Sequence, residues 1–416
     1  MRILVIGAGV IGTTSAWALQ EQGHDVCLIE RQSTAAEGTS HANAGMITPG
    51  YTAPWPAPKI WRKLPRWLLR THTPFAISPP LSRRDLRWML ASLRQCRARC
   101  YTANIQAMMA LSVYSQAMMA RLRDTVPLHY AQRFGGTLQL FRHPVSLTDL
   151  RLHTDYLDQR EIPYEVLDRA GCLAREPGLE RAETPPVSGL YMPQDETGDC
   201  CLFTRQLAAA FVARGGEIRY NTPVSGLLVE NGHVRGALDQ QGEALRAERV
   251  VLCTGHETPA LLAPLGLDLP IAALKGYSMT VPLRIPAYGP QSTVLDDTYK
   301  VALTRLENTI RVGGIAEIAG GRQGLTRRHL ETLRLSLASL FPDSYVAEEA
   351  QFWAGQRPTT PTNLPFIAET ALAGLYVNAG HGTFGWTMAA GAAALLADLV
   401  SGTPSPISAA PYKVRK

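Results

Sequence analysis

This chain has little cysteine, almost no acid in one long stretch, and no long apolar run. No uninterrupted apolar segment approaches the roughly 20 residues of a membrane span. The apolar helix read at Met388 to Leu396 gives way at Asp398. Cysteines stand at 27, 96, 100, 172, 200, 201 and 253. Their odd number and scattered spacing argue against a disulfide framework and suit a reducing compartment, so a cytoplasmic location is expected. Cys96 and Cys100 are four apart, but no second pair follows at zinc-finger spacing, so no metal is expected. Cys200 and Cys201 read as small side chains on opposite faces of an extended segment. Internal repeats and low-complexity tracts are also absent.

Acid is missing above all from residues 59–99, where Asp85 is alone against eleven basic groups: Lys59, Arg62, Lys63, Arg66, Arg70, Arg83, Arg84, Arg87, Arg94, Arg97 and Arg99. That stretch carries +10, so the remainder carries −4 within a total of +6. Trp55, Trp61, Trp67 and Trp88 are interleaved with it, and seven prolines between 54 and 80 exclude long regular elements there. Basic groups beside tryptophan suit an anionic bilayer surface, so segment 55–99 is read as a peripheral membrane contact. The competing reading is a solvated, arginine-rich helical face over core tryptophans. Nucleic acid is not expected, because no recognition motif accompanies the patch.

What is present begins at the first residues. Met-Arg-Ile-Leu-Val-Ile is followed by Gly7-Ala-Gly9-Val10-Ile11-Gly12, a helical run, then Asp-Val-Cys-Leu-Ile and Glu30-Arg31. A glycine fingerprint between strand and helix, with an acid at the end of the next strand, marks a dinucleotide site. Gly7 permits the turn, Gly9 lets the backbone approach a pyrophosphate, and Gly12 lets helix and strand close on each other. The phosphates face the helix N-terminus, and Glu30 stands where it accepts hydrogen bonds from a ribose and repels a 2′-phosphate. Arg2 and Ala-Trp-Ala imitate a secretory signal, but secretion has no need of these glycines or of the acid.

The 416 residues exceed one ordinary core, and the 46% hydrophobic fraction fits a packed globular protein. Helices are read at 83–125, 147–159, 204–213, 325–340 and 386–400, and strands at 134–141 (entered through glycines), 217–220, 224–229, 233–238, 244–247, 250–253, 277–281, 292–295, 300–304, 309–312 and 375–378. Val250-Val-Leu-Cys253 is continuous and apolar, as a buried parallel strand requires. The expected fold is α/β (α+β overall): a Rossmann-like nucleotide-binding domain (1–50, 195–262 and 345–416) interleaved with a mixed-sheet substrate domain (51–194 and 263–344). A second glycine-rich turn, Gly380-His-Gly-Thr-Phe-Gly385, opens the C-terminal helix. A nicotinamide enzyme has no need of it, whereas reduced flavin carries charge near N1 and O2 that a helix N-terminus stabilises.

Several long segments in order then give the chain a family likeness. They are Ser40-His-Ala-Asn-Ala-Gly45 with Pro49-Gly-Tyr-Thr-Ala-Pro-Trp55, Gly136-Thr-Leu-Gln-Leu-Phe141, Asp195-Glu-Thr-Gly-Asp199, Leu274-Lys-Gly-Tyr277, Leu295-Asp-Asp-Thr-Tyr-Lys300, Arg311-Val-Gly-Gly314, Trp353-Ala-Gly-Gln-Arg-Pro358 and Gly380-His-Gly-Thr-Phe-Gly-Trp-Thr387. With them the chain resembles the D-amino acid dehydrogenases of the bacterial small-subunit type, in the D-amino acid oxidase and glycine oxidase superfamily. The resemblance implies noncovalent FAD, since no cysteine follows Cys253 to link it. It implies that Gly7, Gly9, Val10, Ile11, Gly12, Glu30 and Arg31 hold the adenosine diphosphate, and that Ser40, Asn43, Ala44 and Gly45 lie near pyrophosphate and flavin. Val224 would contact the adenine side, Thr254 and Gly255 would line the cleft, and Gly382, Thr383, Gly385, Trp386 and Thr387 would meet the isoalloxazine.

For substrate, the resemblance assigns Arg357 to the carboxylate, which a guanidinium fork grips through two parallel bonds. Tyr299 would share that carboxylate. Tyr277 is either a wall of the pocket or an ordinary sheet residue, and His381 supports the flavin loop. The implied reaction is oxidative deamination of a D-amino acid by hydride transfer from Cα to flavin N5, with electrons passed to a membrane quinone. Dehydrogenation of D-proline or D-hydroxyproline, as one subunit of a complex, is the second enzymatic reading. A scaffold that keeps flavin only for structure is the third. His41, Gln356 and Asp297 depart from the family pattern, and Gln356 adjoins Arg357.

Overall fold

The computed structural model describes residues 1–58, 60, 72–145, 147–320 and 322–414. Most of the segment with Lys59, Trp61, Arg62, Lys63, Arg66, Trp67 and Arg70 therefore lies outside the described residues.

Strand β1 (Arg2–Ile6), helix α1 (Val10–Glu21) and strand β2 (Asp25–Ile29) form the expected unit, and both strands are buried after their first residue. They sit inside a six-stranded sheet in the order Phe366–Glu369, Leu375–Ala379, Arg249–Leu252, β1, β2, Glu217–Arg219. All neighbours are parallel except the antiparallel edge Phe366–Glu369. Strands covered on both faces need apolar side chains all round, which is why they read as continuous runs rather than alternations.

On one face lie α1, the helix Cys200–Ala213, the long helix Ala98–Thr125 and the terminal helix Gly385–Ser401. Trp17, Leu19, Met108, Leu111, Phe203, Leu207 and Leu395 fill that layer. On the other face a three-stranded sheet, Val224–Glu230, His233–Asp239 and Ala244–Arg246, packs through Val234, Ala237 and Leu245 against Leu4, Ile6 and Leu252. Residues Gly382–Ser401 are apolar and long enough to cross a bilayer by composition, yet most of that helix is buried in the core.

The second layer is a nine-stranded mixed sheet. Its order is Gln351–Thr359, Ala272–Pro282, Thr309–Ile318, Val301–Leu306, Thr293–Asp296, Thr137–Phe141, Ser188–Met192, Glu165–Asp168, with Phe75–Ile77 also paired to Thr309–Ile318. One face is closed by the helix Arg327–Leu340, whose Leu333, Leu337 and Leu340 pack on Met279, Val281, Leu303 and Val312. The opposite face is turned toward the nucleotide-binding layer.

Three expectations need correction. Strand Gln351–Thr359 belongs to the mixed sheet, since it pairs along its length with Ala272–Pro282, although a boundary at 345 put it with the nucleotide-binding part. Helix Ala98–Thr125 seals the nucleotide-binding layer rather than the substrate side, because Met108, Leu111, Met119 and Leu122 share the core of α1. Cys200 and Cys201 open a helix capped by the Asp199 carboxylate rather than lying in an extended segment.

Candidate active site

The glycine turn is built by close approach. A Cβ at Gly12 would stand 1.7 Å from the Gly7 carbonyl oxygen, so no other residue fits this crossing of turn and helix. No side chain caps the start of α1 at Gly9, and no acid lies in its first turn. Among the described residues no side chain takes the Ile11 and Gly12 amides, and the helix dipole there favours an anion. Ser40 Oγ accepts from the Val10 amide at 3.0 Å and ties the next loop to this turn. Glu30 braces it too, accepting from the amides of Ala8 (2.7 Å) and Gln32 (2.9 Å).

A cleft of about 540 Å³ opens here, lined among others by Gly7, Gly9, Val10, Ile11, Glu30, Arg31, Ser40, Val224, Thr254 and Gly255. Arg31 pairs with Glu257 at 2.6 Å, and both residues line the cleft. Gly12 shapes the cleft from behind. Asn43, Ala44 and Gly45 lie past its inner end, against the mixed sheet. The Asn43 carbonyl accepts from Arg311 at 3.1 Å, and Ala44 stands where a Cβ on Gly313 would meet it at 2.9 Å. Gly45 is held by Asn43 Oδ1 at 3.0 Å.

The second glycine turn, Gly382–Phe384, leads into the terminal helix, again without a side-chain cap or an acid in its first turn. Gly382 is buried, Gly385 is half-buried and Thr383 is exposed. His381 is 2% exposed, its Nε2 has no hydrogen-bond partner, and burial pushes its pKa down to about 3, so the imidazole is neutral. Buried polar atoms without partners are rare in folded proteins. An orphaned nitrogen beside a glycine turn and an uncapped helix start fits a bound heteroaromatic ring with hydrogen-bonding edges, so the residues present suit a flavin dinucleotide.

Two residues expected at the flavin turn their side chains elsewhere. Trp386 points into the core, its ring 4.6 Å from Phe203 and 6.0 Å from Tyr130, because one residue along the helix turns its direction by roughly 100° from that of Gly385. Thr387 spends its hydroxyl on the segment behind the site, donating to the Met46 carbonyl and accepting from the Thr48 amide.

Arg357 stands on the sheet face that looks toward the nucleotide-binding layer. Its Nη1 donates to the Ile315 carbonyl at 2.6 Å and its Nη2 to that of Gly314 at 3.3 Å. The guanidinium lies over Gly276, where a Cβ would fall 2.3 Å from its central carbon. Burial alone pushes its pKa down to about 10, and no carboxylate pairs with it among the described residues. Part of the side chain remains open. A desolvated cation held only by carbonyls lacks the counter-ion that such a charge calls for.

The tyrosines lie elsewhere. Tyr277 pairs across strands with Ala354, so it faces away from Arg357; it is 1% exposed and belongs to the core under Arg327–Leu340. It is not a wall of the substrate site. The Tyr299 ring packs 6.4 Å from His72 and 5.6 Å from the Arg142 guanidinium, within a group tied to that same helix through Asp296 and Ser336. No contact joins it to Arg357 among the described residues.

Sequence reasoning missed three contributors. Gly276 and Gly355 clear the sheet face for Arg357 and Trp353, and glycine inside a strand was the available signal. Asp195 is buried, bonds Thr48 and accepts from the Gly50 amide at 3.0 Å, pinning the 46–52 segment. No local pattern marks such a partner 147 residues away.

The model of the family described as DAO, FAD dependent oxidoreductase, matches residues 2–399. The chain is 45% identical over 416 residues to a D-amino acid dehydrogenase of Cereibacter sphaeroides, covering 100% of this chain and 95% of that protein. It is 46% identical over 402 residues to a D-amino acid dehydrogenase of Methylobacterium sp. (strain 4-46), covering 97% and 96%. Among solved structures it resembles glycine oxidase from Geobacillus kaustophilus (TM-score 0.78, 22% identity, 100% and 99% covered) and L-proline dehydrogenase from P. horikoshii (TM-score 0.71, 18% identity, 99% and 96% covered). The chain belongs to the DAO family of FAD-dependent oxidoreductases.

Proposed function

We propose that this enzyme oxidises D-amino acids, releasing an imino acid that water converts to a 2-oxo acid and ammonia. The single observation that carries the reading is Arg357, a desolvated guanidinium with carbonyl partners only. An amino acid brings the carboxylate it lacks, and the relatives of highest identity quoted above are named for D-amino acids. FAD supplies a two-electron acceptor for the hydride that leaves Cα. Arg357 binds and orients the carboxylate, which fixes the direction of the Cα–H bond and removes much of the entropic barrier. The amine must be unprotonated when the hydride leaves, and no protein base is required. Arg357→Ala should raise KM by a factor corresponding to about 2–5 kcal/mol, with FAD content unchanged. Arg357→Lys should recover only part of this, since an ammonium has no fork. An unchanged KM in Arg357→Ala would remove the reading.

The electrons pass to a quinone-type acceptor at an anionic membrane on the cytoplasmic side. Support for this comes from the helix Arg83–Gln95, which buries no residue. Leu86, Leu90 and Leu93 are 49%, 60% and 48% exposed and form one stripe at helical spacing, with Arg83, Arg87 and Arg94 beside it. A solvent-facing apolar stripe flanked by arginine has the character of an interfacial helix.

A further inference from the structure

Arg357 depends on two carbonyls that a regular strand would not present together. Strand Thr309–Ile318 pairs Gly314 with Tyr277 and Glu317 with Lys275, so it advances three residues while its neighbour advances two. The extra residue is a β-bulge. Ile315 sits in it at φ 57°, a left-handed conformation that is a true outlier for a β-branched side chain. Its carbonyl is the one that accepts from Arg357 at 2.6 Å.

The bulge also changes which way the strand faces. Arg311 and Gly313 lie opposite Thr280 and Ser278, on the Arg357 side. Strict alternation would carry Glu317 to that side as well. The extra residue instead sends it to the far face, opposite Lys275. There the Tyr277 hydroxyl donates to it, Ser78 bonds it, and His329 Nε2 lies 3.8 Å away. Thr326 Oγ1 is the second partner of the phenol at 2.9 Å. Burial opposes the charge of Glu317, but nearby His329 and the bonds from Ser78 and Tyr277 outweigh it and hold its carboxyl at about 2. Nearby Lys275 and Arg322 face the same group.

We propose that Tyr277, Glu317 and His329 clamp the strained bulge at Ile315 from the far side of the sheet, and so position Arg357 for a carboxylate. This rests on the reading of Arg357 as the carboxylate site. Tyr277, Glu317 and His329 are positioning residues, since none of them reaches that face. The bulge has two effects at once: it aims the Gly314 and Ile315 carbonyls at the guanidinium, and it keeps the Glu317 carboxylate from occupying Arg357 in place of substrate.

The test uses FAD-loaded enzyme and D-lactate as probe, read by its perturbation of the flavin spectrum, with D-lactamide as the uncharged control. The unmodified enzyme should bind D-lactate, and Arg357→Ala should not. Tyr277→Phe should raise the D-lactate Kd about tenfold, with FAD content unchanged and the limiting rate of flavin reduction by D-alanine within about twofold. Ser78→Ala should act in the same direction and serves if Tyr277→Phe does not fold. In Tyr277→Phe/Ile315→Gly the Kd should return, because glycine holds the positive φ without a clamp. A merely structural tyrosine would not be rescued in this way. A Kd that still requires Arg357 but does not respond to Tyr277→Phe or Ser78→Ala, or a failure of the glycine rescue, would overturn the clamp and leave the carboxylate reading standing. D-lactate binding that survives Arg357→Ala would overturn both.

Discussion

Arg357 and Asp195 are desolvated charges that the protein treats in opposite ways. Arg357 keeps its charge and waits for a counter-ion, whereas Asp195 is pushed toward neutrality. Burial raises the Asp195 carboxyl to about 7, against the opposing bonds from Thr48 and the Gly50 amide. Between about pH 4, where an unfolded carboxyl titrates, and about 7, the folded form retains a proton that the unfolded form has released. Folding stability should therefore fall as pH rises through that window and level off above it. Glu176, raised to about 7 by burial, acts in the same direction. Asp195→Asn should flatten the fall by up to about 1.4 kcal/mol per pH unit, measured by denaturant titration of the holoenzyme at pH 5, 6 and 7; an unaltered slope would show that Asp195 is ionised throughout.

Also at the residue scale, the glycine turn and Glu30 at the cleft were legible because they lie within one short unit, where spacing dictates geometry. Arg357 was legible only by resemblance. Tyr277 and Trp386 were misread because sequence order does not say which face of a sheet or helix a side chain takes, and Tyr299 because it sits in the turn between strands Thr293–Asp296 and Val301–Leu306, whose direction no periodicity fixes. The Lys275–Tyr277 bulge moves that assignment by one residue.

Among the elements, β1, α1 and β2 and most long helices stand where periodicity places them. The strand Gln351–Thr359 escaped notice because Gly355, Gln356, Arg357 and Pro358 break any alternation, and its middle is half-buried throughout rather than buried on one face. The break at Cys96 and Arg97 divides the long helical stretch, and the Ser82–Asp85 capping box starts its first half. That first half carries the membrane proposal. Holoenzyme should float with vesicles containing anionic phospholipid, and 0.5 M salt should release much of it, as screening weakens the arginine contribution. Leu86→Glu/Leu90→Glu should lower vesicle affinity by about tenfold or more without changing turnover with a soluble dye acceptor. Equal flotation of this variant would remove the idea.

At the scale of the whole molecule, the site lies between two layers that each supply half of it. The parallel sheet brings two helix starts without side-chain caps and the cleft at the first of them, and the mixed sheet brings a face cleared by glycine with the Arg357 guanidinium, which pairs with no carboxylate among the described residues. The chain passes between the layers several times, so composition shifts along the sequence do not mark their borders. This explains why Ala98–Thr125 and Gln351–Thr359 lie on the other side of the boundaries expected from the sequence. The central claim joins both layers: a D-amino acid, held by Arg357, reduces the bound FAD. Anaerobic mixing of the yellow holoenzyme with D-alanine and with L-alanine, followed by flavin absorbance, tests it most directly. Bleaching by the D-isomer alone is expected, abolished or greatly slowed in Arg357→Ala. Absorbance unchanged by D-alanine and by every other D-amino acid, cyclic imino acids included, would contradict it.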